Sequence, residues 1–263
     1  MFDLDAYLAR VGLSGRPSLA EVHRAHLTSI PFENLDPYCG IPVSLDLEDV
    51  QRKLVTSRRG GYCFEHNLLL KAAYEALGAD ADLLLARVRV GAHGVTRARS
   101  HLILRVHDGD STWHADVGFG LGGLFEPIPF GPGGVYVQSG WRYRVVEDGR
   151  ELVLQTAEDD GWLDQYGVVP DPVPFIDLET SNWYTSTHPR SPFLTGLVVA
   201  IHGDDGSRMM LRDWDGSGLG LKEETPAGAT VTPVEPAEVA ELLATRFGLP
   251  GFAMAADGTL IPV

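Results

Sequence analysis

A single cysteine follows two glycines at the start of an apolar helical pattern. Cys63 comes directly after Gly60, Gly61 and Tyr62, and apolar residues recur behind it at helical spacing until Gly78. The unpaired N–H groups and the dipole of a helix N-terminus favour negative charge, so a thiolate is stabilised there. The position therefore suits a nucleophile, although a cysteine at a helix start is also commonly a small buried hydrophobic residue.

Two later segments supply a base and a carboxylate for this thiol. Residues 100–106 alternate like a half-buried strand, and residues 112–120 are predicted to form its hairpin partner. Neighbouring antiparallel strands bring His101 and Asp116 side by side. A nucleophilic thiol needs a base to take its proton, and the base needs a carboxylate to fix its tautomer and stabilise its cation. Cys63, His101 and Asp116 supply all three groups.

The same residues lie in five segments by which the sequence resembles the arylamine N-acetyltransferase family. The segments are Pro31-Phe32-Glu33-Asn34-Leu35, Arg59-Gly60-Gly61-Tyr62-Cys63-Phe64-Glu65-His66-Asn67, Ser100-His101, Asp116-Val117-Gly118-Phe119-Gly120 and Ser186-Thr187-His188-Pro189-Arg190-Ser191-Pro192-Phe193. They occur in this order, and the resemblance extends over most of the chain but is weakest after about residue 200. It implies that a catalytic Cys-His-Asp triad falls on Cys63, His101 and Asp116.

The resemblance also implies a fold and a pair of substrates. The expected fold is α+β, with a helical bundle over residues 1–84, a β-barrel over residues 85–189 and an α/β lid over residues 190–263. Its Cys-His-Asp core is like that of cysteine proteases. The expected acyl donor is acetyl-CoA, bound as a substrate rather than as a permanent cofactor, and the expected acceptor is a small aromatic amine or hydrazine.

Seven further residues are predicted to lie near the substrates. Phe119 lies on an irregular loop between glycines, where an aromatic ring can wall a pocket for a flat acceptor, although a core role is an equal alternative. Exposed N–H groups in the same Gly-rich loop can form a small anion-binding nest. We predict substrate-binding roles for Phe119, Phe32 and Val88, and CoA-binding roles for Gly118, Gly120, Phe193 and, by the resemblance, Thr259.

Hydropathy patterns divide the chain in a way that agrees with this fold. Residues 1 to about 84 are predicted to be helical, with one helix opened by the capping box from Ser18 to Glu21 and another over residues 46–56. An ordered loop is expected after Pro31. From about residue 81 to 175 the period changes to two, which is typical of strands.

Five strands are predicted in that middle region, and their number favours a barrel or a strongly curved sheet. They cover residues 83–90, 100–106, 112–120, 141–146 and 151–155. Residues 118–140 carry too many glycines and prolines for regular structure and are predicted to form a long loop beside the site. Beyond it, a helix over 177–187, strands over 197–201 and 208–211, and a helix over 235–247 indicate a small α/β unit.

Composition excludes several classes of function. The net charge of −15 argues against a nucleic-acid partner, because phosphate contacts need a basic surface. No apolar stretch approaches the length of a membrane span and the N-terminus lacks a signal pattern, so we expect a cytoplasmic protein with no membrane partner. In a reducing compartment Cys39 and Cys63 are expected to be free thiols. The oligomeric state is left open.

Two other readings of the motifs are weaker. The segment from Gly118 to Gly123 fits the dinucleotide pattern G-x-G-x-x-G, but the prolines that follow cannot form the helix that a dinucleotide site requires. Nine histidines invite a zinc site, yet no metal-binding spacing occurs, so we predict no metal. His114 shares a strand face with Asp116 and is an alternative base, but His101 matches the motif. Glu65 is expected to orient the loop or pair with Arg59.

These patterns predict an acyltransferase that works through covalent catalysis. Cys63 takes the acetyl group from acetyl-CoA, and an amine or hydrazine nitrogen then accepts it while His101 removes a proton, which implies ping-pong kinetics. Two alternatives keep the same triad: an amide synthase that releases a carrier-bound acyl chain onto an aromatic amine, and a cysteine hydrolase that passes the acyl group to water. A binding protein that has kept only the fold is a third, and the intact triad argues against it.

Overall fold

Helices fill the N-terminal part of the chain, as the patterns predict. The computed structural model describes residues 2–92, 94–120, 122–159, 161–256 and 258–263. The first five helices are α1 (Leu4–Arg10), α2 (Leu19–Ser29), α3 (Leu35–Tyr38), α4 (Leu47–Gln51) and α5 (Cys63–Leu77). A π turn (Arg52–Thr56) continues α4, so the predicted helix over 46–56 is present. The predicted capping box at the start of α2 is formed, with Ser18 and Glu21 bonding each other's backbone.

A chain of hydrogen bonds crosses this helical bundle. Tyr7 bonds His26 at 2.9 Å, His26 bonds His66 at 2.8 Å, and Nε2 of His66 lies 3.2 Å from the carbonyl oxygen of Pro31. Because a carbonyl only accepts, Nε2 of His66 carries a proton, and its Nδ1 accepts from His26. The His66 ring also stacks on Phe32, 6.3 Å between centroids. The bundle thus holds the loop at Pro31 against the start of α5.

The middle of the chain forms a nearly closed barrel of eight strands. They are β2 (Asp80–Val88), β3 (His101–Asp108), β4 (Ser111–Ala115), β5 (Ile128–Pro129), β6 (Tyr136–Gln138), β7 (Trp141–Asp148), β8 (Glu151–Glu158) and β9 (Gly161–Val168). Their order is β5-β4-β3-β2-β9-β8-β7-β6, and all neighbouring pairs are antiparallel. The predicted barrel is therefore confirmed.

Three details of the barrel differ from the sequence prediction. The fourth strand ends at Ala115, so Asp116 leaves the sheet instead of continuing as a strand to residue 120. The loop over 118–140 contains two short strands, β5 and β6. The ninth strand, β9, was not predicted, and a register shift at Leu154/Gln155 where β8 pairs with it disturbs the alternation of that region.

The C-terminal part of the chain forms a second sheet. It is ordered β1-β10-β11-β12-β13, from β1 (Phe32–Glu33), β10 (Val198–His202), β11 (Arg208–Asp213), β12 (Leu219–Thr225) and β13 (Gly228–Pro233), with a separate hairpin of β14 (Phe252–Met254) and β15 (Leu260–Pro262). The helices are α6 (Phe175–Thr187), α7 (Pro192–Thr195) and α8 (Val239–Arg246), the last preceded by a 3-10 turn (Pro236–Glu238). The predicted helix over 177–187 and the two predicted strands are present.

The loop expected after Pro31 is in fact a strand that joins this C-terminal sheet. Phe32 pairs with Ala200 and Glu33 with Val199. The N-terminal third of the chain therefore contributes hydrogen bonds to the C-terminal unit, and β2 crosses the boundary expected at residues 84 and 85.

Arg208 connects the C-terminal sheet to the barrel. Its buried guanidinium lies 3.8 Å from the ring centroid of Trp141, donates to the carbonyl oxygen of Gly123 at 3.2 Å and hydrogen-bonds Tyr143. Glu224 lies 3.6 Å away as its counter-ion. The C-terminal unit thus touches the Gly-rich loop that follows Asp116.

Among the described residues, no helix combines the length and apolar character needed to cross a membrane.

Candidate active site

Cys63 is the first residue of α5, as predicted. The chain enters the helix through an extended Tyr62, whose N–H donates to Oε2 of Glu65 at 3.1 Å. The thiol is almost buried, with 4% of the residue exposed, and it donates to the carbonyl oxygen of Ser100 at 3.6 Å. The nucleophile candidate therefore lies at a helix N-terminus and beside the strand that carries His101.

Two glycines allow other segments to reach this helix start. A Cβ on Gly118 would lie 2.6 Å from Cα of Cys63, and a Cβ on Gly60 would lie 2.1 Å from the carbonyl oxygen of Pro31. Real Cβ atoms do not approach so closely. The glycines are therefore required because backbone packs on backbone on both sides of the cysteine.

His101 lies between Cys63 and Asp116. Its Nε2 is 2.7 Å from Oδ2 of Asp116, which leaves Nδ1 for the thiol. Burial alone would lower the pKa of His101, but the carboxylate of Asp116 and a hydrogen bond to Cys63 outweigh burial and raise this pKa to about 10. His101 is therefore an imidazolium at neutral pH when paired with these two groups.

Asp116 lies just beyond the end of β4, and three polar groups fix its carboxylate. Oδ1 accepts from Nδ2 of Asn67 at 3.0 Å and from the N–H of Gly118 at 2.9 Å, while Oδ2 faces His101. Burial would raise the pKa of Asp116, but these donors and the His101 cation hold it well below its usual range. The residue stays a carboxylate although it is fully buried.

Tyr166 of β9 completes the surroundings of His101. Its ring centroid lies 4.8 Å from that of His101, and its hydroxyl is 2.8 Å from Nε2 of His114. Burial first, and then the neighbouring Asp116 carboxylate, hold the pKa of Tyr166 well above its usual value. Burial lowers the pKa of His114 to about 4, so this ring is neutral near pH 7, and its hydrogen bond goes to Tyr166. The geometry thus favours His101 over His114 as the base.

Aromatic rings surround the nucleophile and its base. Phe119 lies 4.9 Å from His101 and 4.8 Å from Tyr166, both edge to face, and is half-buried. On the side of Cys63, Phe193 packs edge-on against Phe32 at 6.2 Å and against the ring of the preceding Tyr62 at 5.7 Å. With Gly118, which packs on the backbone of Cys63, the structure therefore brings four of the predicted substrate and CoA residues to this centre.

The remaining predicted residues are Val88, Gly120 and Thr259. Val88 is half-buried at the end of β2, in register with Tyr166. Gly120 has a φ of +81° and packs near Met210. Thr259 is exposed in the turn between β14 and β15. Its CoA-binding role stays a prediction.

A buried ionic cluster supports the loop that precedes Cys63. Lys53 bonds Glu65 at 2.7 Å and Asp36 at 2.6 Å, while Arg59 bonds Glu33 at 2.8 Å and Asp36 at 2.9 Å. Glu65 orients the loop, as expected, but its cationic partner is Lys53 and not Arg59. Burial raises the pKa of Glu65 to about 7 against the opposing effect of Lys53.

Three residues of the site were not predicted from the sequence. Asn67 had a usable signal, since it follows Cys63 by four residues and so shares its helix face. Tyr166 and His23, whose Nε2 accepts the N–H of Asp116 at 3.1 Å, had none, because nothing near them in sequence points to Asp116.

Among the described residues, no group of His, Cys, Asp or Glu side chains could hold a metal ion. The dinucleotide pattern is followed by no helix over the described residues 122–127, and its Leu121 lies outside the described residues.

Comparisons with known proteins identify relatives of this chain. The profile of the N-acetyltransferase family matches residues 17–251. An arylamine N-acetyltransferase of Mycolicibacterium smegmatis is 40% identical over 259 residues, which cover 94% of this chain and 92% of that relative. The arylamine N-acetyltransferase / N-hydroxyarylamine O-acetyltransferase of Salmonella typhimurium is 31% identical over 216 residues, which cover 80% of this chain and 77% of that relative.

Solved structures show the same fold. The structure of Mycobacterium marinum arylamine N-acetyltransferase in complex with CoA aligns with a TM-score of 0.87 at 35% identity, covering 94% of this chain and 93% of that one. The arylamine N-acetyltransferase of Mycobacterium tuberculosis aligns with a TM-score of 0.86 at 34% identity. Because the profile spans most of the chain and the similarity runs along nearly its whole length, this chain belongs to the arylamine N-acetyltransferase family.

Proposed function

We propose that the enzyme moves an acetyl group from acetyl-CoA to the nitrogen of an arylamine or arylhydrazine through a thioester on Cys63. The observation that carries this proposal is the position of His101. Its Nε2 is held by Asp116, and its Nδ1 is left for the thiol. A base oriented by a buried carboxylate is what a cysteine nucleophile requires.

The first half-reaction acetylates the enzyme. The Cys63 sulfur, as a thiolate paired with the His101 cation, attacks the thioester carbonyl of acetyl-CoA. The new C–S bond forms, and the bond from the carbonyl carbon to the CoA sulfur breaks. The proton on Nδ1 of His101 is available to this leaving group, so CoA departs as a neutral thiol.

The second half-reaction returns the enzyme to its starting state. The amine nitrogen attacks the acetyl carbonyl, and the bond to the Cys63 sulfur breaks. His101, now neutral, takes the proton that the nitrogen must lose, and the cation and thiolate are restored. Asp116 keeps its negative charge throughout and stabilises the histidine cation each time it forms.

The aromatic rings support a division of the site between the two substrates. We assign Phe119, Phe32 and Val88 to the acceptor, because a flat aromatic amine packs well edge-on or offset against aromatic rings. We assign Gly118, Gly120, Phe193 and Thr259 to the donor.

The C-terminal unit, residues 190–263, is proposed as the cover that keeps water from the thioester, which separates a transferase from a hydrolase. The units over 1–84 and 85–189 would then supply the nucleophile and the base with its carboxylate, respectively. The contact of Arg208 with Gly123 supports this arrangement, since it joins the proposed cover to the loop of Phe119.

Rapid mixing with acetyl-CoA tests the mechanism. We expect a burst of CoA close to one equivalent per enzyme and an intact mass raised by one acetyl group located on Cys63. Adding an arylamine should then discharge the acetyl-enzyme to N-acetylated amine.

Three other results would contradict the proposal. Continuous release of free acetate without need of an amine indicates a hydrolase. Acylation only from a carrier-bound chain indicates an amide synthase. The absence of any adduct on Cys63 excludes covalent catalysis at this residue.

A further inference from the structure

His23 lies in the middle of α2 and, among the described residues, hydrogen-bonds neither Cys63 nor His101. Its ring is fully buried and reaches two backbone groups of the loop that connects β4 to β5. The N–H of Asp116 donates to Nε2 at 3.1 Å, and Nδ1 lies 3.1 Å from the carbonyl oxygen of Phe125. A side chain of the helical bundle is thus bonded to the main chain of the triad aspartate.

These two partners determine the tautomer of His23. A carbonyl oxygen only accepts, so Nδ1 carries the proton, and an amide N–H only donates, so Nε2 is bare. A doubly protonated ring would point an N–H at the N–H of Asp116. Burial lowers the pKa of His23 to about 4, so the neutral ring that the geometry requires is also the form present near neutral pH.

The two partners also stand at the two ends of one loop. Asp116 precedes and Phe125 ends the Gly-rich segment that carries Phe119, so one imidazole ring holds both ends. Within the turn after Asp116, the N–H of Val117 donates to Oδ1 of Asn67 at 3.2 Å. Helices α2 and α5 therefore each supply one polar side chain that fixes this turn.

We propose that His23 is a positioning residue for acetyl transfer. By holding the main chain of Asp116, it sets the place of the carboxylate that orients His101, and by holding Phe125 it sets the loop of Phe119. The proposal rests on the proposed roles of His101 and Asp116. A small displacement suffices to matter, since misplacing a catalytic group by about 1 Å can cost on the order of 10²-fold in rate.

Two substitutions separate the two bonds of His23. In His23→Gln, the amide oxygen can stand where Nε2 is and accept the N–H of Asp116. In His23→Asn, the amide N–H can stand where Nδ1 is and donate to Phe125, but nothing reaches Asp116. His107→Gln is the matched control, because His107 is a partly exposed histidine at the far end of β3, where it pairs with Asp82.

The measurement is the burst of CoA release after rapid mixing with acetyl-CoA, where the amplitude counts active sites and the rate constant reports acetylation. We expect His23→Asn to slow acetylation per active site by at least about tenfold, while His23→Gln stays within about threefold and His107→Gln is unchanged. A merely structural role would lower the amplitude or the melting temperature and leave the rate constant per active site at the wild-type value. That result, or equal slowing by Gln and Asn, would overturn the proposal.

A second measurement does not depend on any variant folding. Nitrogen-15 NMR of the wild-type imidazole should show His23 protonated at Nδ1 and bare at Nε2, and the opposite tautomer would overturn the assignment. Failure of the proposed function would be recognised separately, as a wild-type enzyme that gives no burst. In that case the positioning role falls together with the triad.

Discussion

Nε2 of His101 lies 2.7 Å from Oδ2 of Asp116, which leaves Nδ1 for the hydrogen bond of His101 with Cys63. In the serine-protease triad the ring is used the other way round, with Nδ1 towards the carboxylate. The positions of the two residues in the fold accompany this reversal. His101 is the first residue of β3, whereas Asp116 follows the end of β4 and is hydrogen-bonded to Asn67 of α5 and His23 of α2.

Replacing Asp116 by asparagine should nearly abolish acetylation of the enzyme. An amide can donate to Nε2 of His101, which leaves the proton on Nδ1, where the thiol needs an acceptor. We expect the rate of acetyl-enzyme formation to fall by about 10³- to 10⁴-fold, since the same change costs a serine protease about 10⁴-fold. Stopped-flow CoA release measures it. Asp148→Asn, at an exposed ion pair with Arg89, is the control and should keep full activity. A loss of less than tenfold at Asp116 would remove the carboxylate from the mechanism.

A methyl group on Gly118 should displace the start of α5. The added Cβ would lie 2.6 Å from Cα of Cys63 and 3.1 Å from its carbonyl oxygen, and backbone atoms cannot rotate away as a side chain can. We expect Gly118→Ala to reduce both the acetylation rate and the stability, the latter by about 1–3 kcal/mol. Gly134→Ala, where nothing lies within 4 Å, is the matched control. Calorimetry and the burst assay should distinguish the pair, and identical behaviour would show that the loop yields freely.

Short-range patterns were enough to predict that the structure would bring together the three chemical groups of the candidate site. Cys63 is marked by its glycines and by the helical period behind it, and His101 and Asp116 by two alternating segments close enough to form a hairpin. Each signal lies within about fifteen residues of the chain, and the resulting pairing of neighbouring strands is the commonest outcome for such segments.

The residues that support the triad could not be predicted in the same way. Tyr166 lies on β9, whose alternation is interrupted where the register with β8 shifts, so the strand itself was missed. His23 meets Asp116 only because α2 packs on the barrel, a contact across 93 residues. Phe32 and Glu33 are too short a segment to show a strand pattern, and their pairing with β10 is set by the tertiary fold.

Stability should fall as the pH decreases from about 6.5 towards 4. Burial holds the pKa values of His23, His66 and His114 near 4 and that of His26 well below its usual value. When the chain unfolds in this pH range, these histidines therefore become exposed and bind protons. Each such proton adds about 1.4 kcal/mol per pH unit to the slope of the free energy of unfolding. Glu65, with a pKa raised to about 7, contributes one proton of opposite sign. Four histidines against one carboxyl leave a net loss in acid.

Denaturant unfolding at a series of pH values measures this slope. His66→Gln should flatten it, since one titrating ring is removed. His101 has the opposite effect on the free energy of unfolding at high pH, because its pKa is raised to about 10. Its contribution to stability is fully present below pH 6.5 and is lost as the pH rises through 10. A free energy of unfolding that stays constant from pH 7 to 4 would contradict the neutral, buried state of these rings.

Removing the ring of Phe119 should separate the two half-reactions. The ring packs edge to face on His101 and Tyr166 and remains half-buried, so it borders the proposed base for the amine proton. We expect Phe119→Ala to slow transfer to an arylamine by about tenfold, since an aromatic contact is worth about 0.5–1.5 kcal/mol beyond its buried area. Acetylation of Cys63 by acetyl-CoA should slow much less.

The control for this prediction is Phe130→Ala. Phe130 packs against the same core cluster as Phe119, but its nearest described aromatic partner is His114, 5.9 Å away, and not the triad. Single-turnover measurement of each half-reaction, with the melting temperature of both variants, tests the assignment. If Phe119 is only a core residue, both variants lose stability alike and the two half-reactions of Phe119→Ala slow by equal factors. If it walls the acceptor site, only Phe119→Ala slows the amine step selectively, and an aliphatic acceptor should lose less than an aromatic one because it gives up no ring contact.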